Sequence, residues 1–147
     1  MYTIDASVWI NSFDPQELGS ADSQEFLDLL SKHKTKIYVP NLVIVEVAAA
    51  ISRSKQNSSQ AEMFAKKLNQ IPELSLIMLD NDLAEKALQL AASQQLRGAD
   101  AVYAAVAAQE NCILVSLDKE QLTRLGNIVT TQTPIEAIAK FQTVNGK

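Results

Sequence analysis

The sequence predicts an α/β protein built on a parallel β-sheet. Short apolar runs alternate with helical stripes along the whole chain, the pattern that parallel sheets with crossover helices produce. Four carboxylates also stand at the ends of those runs or inside apolar helices, where an ionised group has no local reason to be.

Tyr2 to Asp5 reads as the first strand. Ala6 to Phe13 starts a short helix that the Asp14-Pro15 turn signal ends. Ala21 to His33 is helical, with Phe26, Leu27, Leu29 and Leu30 on its apolar face. Lys36 to Val39 is a short strand closed by Pro40, and Asn41 is placed to cap the helix that carries Glu46. That helix fades in the polar stretch from Ser52 to Ser59. Ser59 to Ile71 shows Ala61, Phe64, Ala65, Leu68 and Ile71 at helical spacing, and Pro72 stops it. Leu74 to Leu79 is extended. Asp80 or Asn81 caps an amphipathic helix, and Gln94 to Gly98 is a loop. Ala99 to Glu110 is apolar nearly all round, so it belongs in the interior. Cys112 to Leu117 is a strand, Lys119 to Leu125 a short helix and Asn127 to Thr130 a last strand. Thr133-Pro134-Ile135-Glu136 is a capping box that opens a final helix to about Phe141.

At 147 residues the chain is expected to be one domain, spanning 1–147, large enough for a proper core. Its 47% apolar and 20% charged residues mark it as globular. No apolar stretch approaches the roughly 18 to 20 residues of a membrane span, and no secretory signal opens the chain. The single cysteine, Cys112, has no partner for an internal disulfide and reads as a core residue, which fits a reducing, cytoplasmic setting. The net charge of −4 argues weakly against nucleic acid as a partner. Set aside the four unusual carboxylates, however, and 13 acidic groups face 13 basic ones.

Those four are Asp5, Glu46, Asp100 and Asp118. Asp5 ends Tyr2-Thr3-Ile4, and Asp118 follows the run Ile113 to Leu117. Glu46 is the only charge between Leu42 and Ile51, and Asp100 the only one between Ala99 and Ala108. No Lys or Arg lies inside any of these runs, so compensation must come from elsewhere in the fold or from a divalent cation. Each alone can be an N-cap or half of a buried ion pair. Together they sit at strand C-termini and near helix starts, the edge where open parallel sheets bind ligands. An all-oxygen donor set without His or a second Cys suits Mg²⁺ or Mn²⁺ rather than zinc or iron. Such a site can activate water against a phosphodiester. Ser7 and Ser116 stand beside two of the acids and can hold a carboxylate or a water. Arg53 and Arg97, two turns after Glu46 and one turn before Asp100, can meet a substrate phosphate or be solvated. Trp9 and Tyr103 read as core residues, and His33, in a basic run, as a solvated helix end.

With these residues in place the chain resembles the PIN domain family, and within it the VapC-type toxins. The resemblance rests on Ile4-Asp5-Ala6-Ser7-Val8, Pro40 to Glu46, Ala99-Asp100-Ala101-Val102-Tyr103-Ala104-Ala105, Leu114-Val115-Ser116-Leu117-Asp118 and Thr133-Pro134-Ile135-Glu136-Ala137. It implies a three-layer α/β/α sandwich with a parallel sheet in strand order 3-2-1-4-5. It further implies a Mg²⁺- or Mn²⁺-dependent endoribonuclease whose acidic positions are Asp5, Glu46, Asp100 and Asp118, with Ser7 and Ser116 at positions where the family often has Ser or Thr. RNA as substrate, a homodimer and a small antitoxin partner whose tail enters the cleft belong to the same expectation. One departure is Lys119, which follows Asp118 where the family often carries a further Asp or Asn.

Three other readings compete. A PIN-fold nuclease of RNA maturation differs from a toxin by lacking an adjacent small antitoxin gene. A non-catalytic PIN domain that binds RNA or protein would not need all four acids. A phospho-acceptor signalling domain also uses a strand-end acidic cluster, but it carries its Asp after a middle strand, and here the second strand runs into Pro40.

Overall fold

The computed structural model describes residues 1–145. Its elements in chain order are β1 Tyr2–Ile4, α1 Ala6–Phe13, α2 Ser20–Lys32, β2 Ile37–Pro40, α3 Leu42–Lys55, α4 Ser58–Leu68 and β3 Leu74–Ile77. They continue with α5 Asn81–Gln94, α6 Gly98–Gln109, β4 Ile113–Val115, α7 Lys119–Arg124, β5 Thr131–Gln132 and α8 Pro134–Asn145. The five strands form one sheet in the order β3-β2-β1-β4-β5, and every pairing is parallel. With right-handed crossovers, the α1–α4 connections cover one face and α5–α7 the other, which makes the three-layer sandwich. The packing agrees: α1 touches α2 and α3, α2 touches α8, and α5 lies against α6.

The core explains the helix stripes. α3 buries Val43, Val47 and Ile51, spaced four apart on one face. Seven consecutive residues of α6, Ala101 to Ala107, are buried. Small alanines let that helix sit close on β1, β2 and β4. Burying each large core side chain, such as Ile4 or Leu114 at 0% exposure, contributes roughly 1.5–3 kcal/mol. Cys112, Trp9 and Tyr103 are core residues as expected, and His33 is exposed at the end of α2, with its ring edge-on to Phe141. Among the described residues no helix is long and apolar enough to cross a membrane.

Four local expectations shift. The last strand is Thr131–Gln132 rather than 127–130. Ile128 and Val129 instead donate backbone hydrogen bonds to Leu125 O, closing a turn that tucks Val129 into the core. Asn41 makes no side-chain cap, because its backbone is already helical. α4 ends at Leu68, where Asn69 and Gln70 turn the chain ahead of Pro72. α8 runs on to Asn145.

The site is positioned by topology. The chain leaves β1 toward β2 and leaves β4 toward β5, so strand order reverses between β1 and β4. The crevice outside their C-terminal ends is the switch point where such sheets bind ligands.

Candidate functional site

Asp5 and Asp118 end the two strands at the switch point and cap the helices that follow. Asp5 Oδ2 accepts from Ser7 N at 3.0 Å. Asp118 Oδ1 accepts from Glu120 N at 2.8 Å and Gln121 N at 3.2 Å. Each carboxylate thus satisfies otherwise orphaned helix N–H groups and favours the positive end of its helix. The two serines tie the turns together. Ser116 Oγ, fully buried, donates to Asp5 Oδ2 at 3.4 Å and accepts from Asp118 N at 2.9 Å. Ser7 Oγ accepts from Leu117 N at 3.1 Å.

Asp100, the third residue of α6, reaches the same place. Gln121 joins it to Asp5: one side-chain nitrogen, Nε2, donates to Asp100 Oδ1 at 2.8 Å and to Asp5 Oδ1 at 3.0 Å. Burial pushes the Asp100 carboxyl upward; the Gln121 hydrogen bond opposes this, and the charges of Asp5 and Asp118 reinforce it. Glu46, on α3, is pushed up to about 7 chiefly by burial; the Tyr103 hydroxyl opposes the rise, and the charges of Asp5 and Asp100 reinforce it. The buried Tyr103 hydroxyl lies near Glu46, and burial with the Glu46 and Asp5 charges raises its pKa. Neither Glu46 Oε1 nor the Tyr103 hydroxyl forms a well-shaped hydrogen bond.

Arg97, capping residue of α6, faces the acids. It lies 3.8 Å from Asp100, 3.4 Å from Asp118 and 3.7 Å from Glu120. Its side chain is 69% exposed, so these pairs are weak restraints. Glu120 was not foreseen. It stands two residues after Asp118, in the first turn of α7. Carboxylate oxygens of Asp100, Asp118 and Glu120 come within 4.8 Å of one another. Its only sequence signal is a second acid in the first turn of a short helix. Arg53 is exposed in the last turn of α3 and makes no ion pair among the described residues. The structure therefore brings together Asp5, Ser7, Glu46, Arg97, Asp100, Ser116 and Asp118, adds Glu120 and Gln121, and leaves Arg53 apart.

The donor set fits a hard divalent cation. It consists of carboxylate oxygens; Asp100 Oδ2 is buried without a hydrogen bond among the described residues, and Glu46 Oε1 is buried with only the poorly aligned Tyr103 hydroxyl beside it. Arg97 Nε approaches Asp100 Oδ2 only to 3.8 Å, beyond hydrogen-bonding range. Unsatisfied buried carboxylate oxygens are costly, and a cation at this edge would relieve them.

An all-parallel five-stranded α/β/α fold with acids gathered at its switch point defines a class of proteins. The PIN domain family model matches residues 2–127, and the chain belongs to that family. Three solved structures share the fold. The toxin–antitoxin complex from Klebsiella pneumoniae matches with a TM-score of 0.66 at 16% identity, covering 91% of this chain and 98% of the other. VapC20 of Mycobacterium tuberculosis, a toxin that cleaves the sarcin–ricin loop, matches with a TM-score of 0.69 at 16% identity, covering 82% and 92%. FitAcB of Neisseria gonorrhoeae matches with a TM-score of 0.69 at 19% identity, covering 92% and 99%. At such identities the likeness speaks to the fold alone. No curated protein sequence matches significantly.

Proposed function

We propose that the chain is a Mg²⁺- or Mn²⁺-dependent endoribonuclease acting as the toxin of a toxin–antitoxin pair. The observation that carries this reading is the convergence of Asp5, Glu46, Asp100 and Asp118 at the switch point, with Asp100 Oδ2 buried and met by no hydrogen bond among the described residues. Asp100 and Asp118, whose carboxylate oxygens lie within 4.8 Å of one another and of Glu120, would hold the cation, with Asp5 and Glu46 adding negative charge beside them. A bound divalent ion supplies Lewis-acid activation of water and of the phosphodiester.

The chain's own residues do the rest. Capping bonds and Ser116 fix the Asp5 and Asp118 carboxylates on rigid backbone, so no loop must reorganise before reaction. Arg97 stands at the exposed rim, where its guanidinium can exchange its acidic partners for a substrate phosphate. Ser7, half-buried beside Asp5, lines the same rim.

The toxin role draws support from the family and from the fold shared with toxin–antitoxin proteins. It brings with it a small antitoxin reaching the cleft, a cytoplasmic setting and a homodimer. The exposed Val45 and Met63, on the neighbouring helices α3 and α4, supply apolar surface for such an interface. The test is cleavage of single-stranded RNA with and without Mn²⁺, in the wild type and in Asp100→Asn. Metal-dependent cleavage lost in the variant is the expected result, and cleavage unaffected by chelator would sink the mechanism. Expression of the chain should arrest growth, and co-expression of a small antitoxin encoded beside it should restore growth. A nuclease that is harmless on expression would instead be an enzyme of RNA maturation.

A further inference from the structure

Gln121 is the one fully buried side chain of the six-residue helix α7, and it is polar. Its Oε1 is buried without a partner. An aliphatic side chain would fill the same space with no unpartnered acceptor, so whatever the amide contributes lies on its nitrogen. Among the described residues that nitrogen hydrogen-bonds two groups, Asp5 Oδ1 and Asp100 Oδ1. The orientation of the amide follows from chemistry, since two carboxylates require a donor and its NH₂ carries two hydrogens.

The consequence is a division of labour among four oxygens. Gln121 takes Oδ1 of both acids. Asp5 Oδ2 is then held by Ser7 N and the Ser116 hydroxyl. Asp100 Oδ2 is left buried without a hydrogen bond among the described residues, with the exposed Arg97 Nε at 3.8 Å. A neutral amide brings two mutually repelling carboxylates together without adding a cation that would compete with a metal, as a lysine or arginine there would.

We infer that Gln121 is a positioning residue: by bridging Asp5 and Asp100 through their Oδ1 atoms it sets their orientation and directs Asp100 Oδ2 to a divalent cation. This rests on the metal reading above. Hydrogen-bond partners that orient metal-ligating side chains typically govern affinity by tenfold or more.

Titration of the metal-free protein with Mn²⁺ in a calorimeter tests it, with no RNA present. Gln121→Met keeps the length and removes the donors; it should weaken Mn²⁺ binding about tenfold. Leu125→Ala loosens the end of the same helix without touching a carboxylate, and should leave the affinity within twofold. Wild-type protein that takes up no Mn²⁺ would overturn the metal reading and this inference with it. Wild-type binding that Asp100→Asn abolishes, but that Gln121→Met leaves unchanged, would overturn the role of Gln121 alone. So would an equal loss in Leu125→Ala, which would make the effect one of helix packing. Should Gln121→Met not fold, the wild type still decides. The side-chain amide resonances of Gln121 should shift on addition of Mg²⁺ and saturate together with the Asp100 backbone amide. Resonances that stay fixed while Asp100 responds would reject the bridge.

Discussion

Asp5 and Asp118 perform the same task on adjacent strands: each ends its strand, caps the next helix, and is tied to the other through the buried hydroxyl of Ser116. Their local role as caps and their shared place in the acidic cluster are therefore not alternatives. Capping holds the backbone, and the backbone fixes where the remaining oxygens point.

Ser116→Ala removes both bonds of this link. The Asp118 N–H loses its acceptor, and Asp5 loses one donor. We expect a loss of about 1–3 kcal/mol in stability, read from urea unfolding. A change below a few tenths would show that the link is not a restraint.

Replacing the acids by their amides should divide them into two groups. Both oxygens of Asp5 face donors, so Asp5→Asn must turn an NH₂ toward a donor and should lower the melting temperature of the metal-free protein. Asp100 keeps one oxygen on Gln121 and has the other free of hydrogen bonds. Asp100→Asn can therefore place its NH₂ there and relieve repulsion, raising the metal-free melting temperature. It should also lose the rise in melting temperature that Mn²⁺ gives the wild type by binding the folded state. Opposite signs in the metal-free scans check the assignment.

The metal-free protein should lose stability as pH rises from about 5 to 7. The Glu46 carboxyl is pushed from its ordinary 4.5 up to about 7 by burial, so across that window the folded state holds a proton that the unfolded chain has released. Stability falls wherever the folded state binds more protons. Below 4.5 both states are protonated and this contribution is flat. Glu46→Gln should flatten the slope in thermal melts, and a wild-type curve that rises through the window would contradict the burial of Glu46.

Arg97→Ala should separate two effects. The variant removes a cation lying within 4 Å of three acids, so Mn²⁺ should bind more tightly. RNA should bind more weakly, with its salt dependence reduced by about one phosphate contact. Unchanged RNA affinity at two salt concentrations would take Arg97 off the rim.

The sequence by itself determined the alternation of strands and helices, the burial of α6 and the four acids, because periodicity and an isolated charge in an apolar run are local signals. It misplaced the last strand, because Asn127 to Thr130 has strand composition, while Ile128 and Val129 instead turn back onto Leu125 O and bury Val129. It also passed over Gln121, an unremarkable polar residue in a short helix. That residue's importance depends on Asp5 and Asp100, which lie 116 and 21 positions away along the chain. Only the tertiary structure decided which carboxylate oxygens are already satisfied and which are left for a cation. Hydrogen-bond geometry between distant segments is fixed when the sheet closes, and no local pattern encodes it.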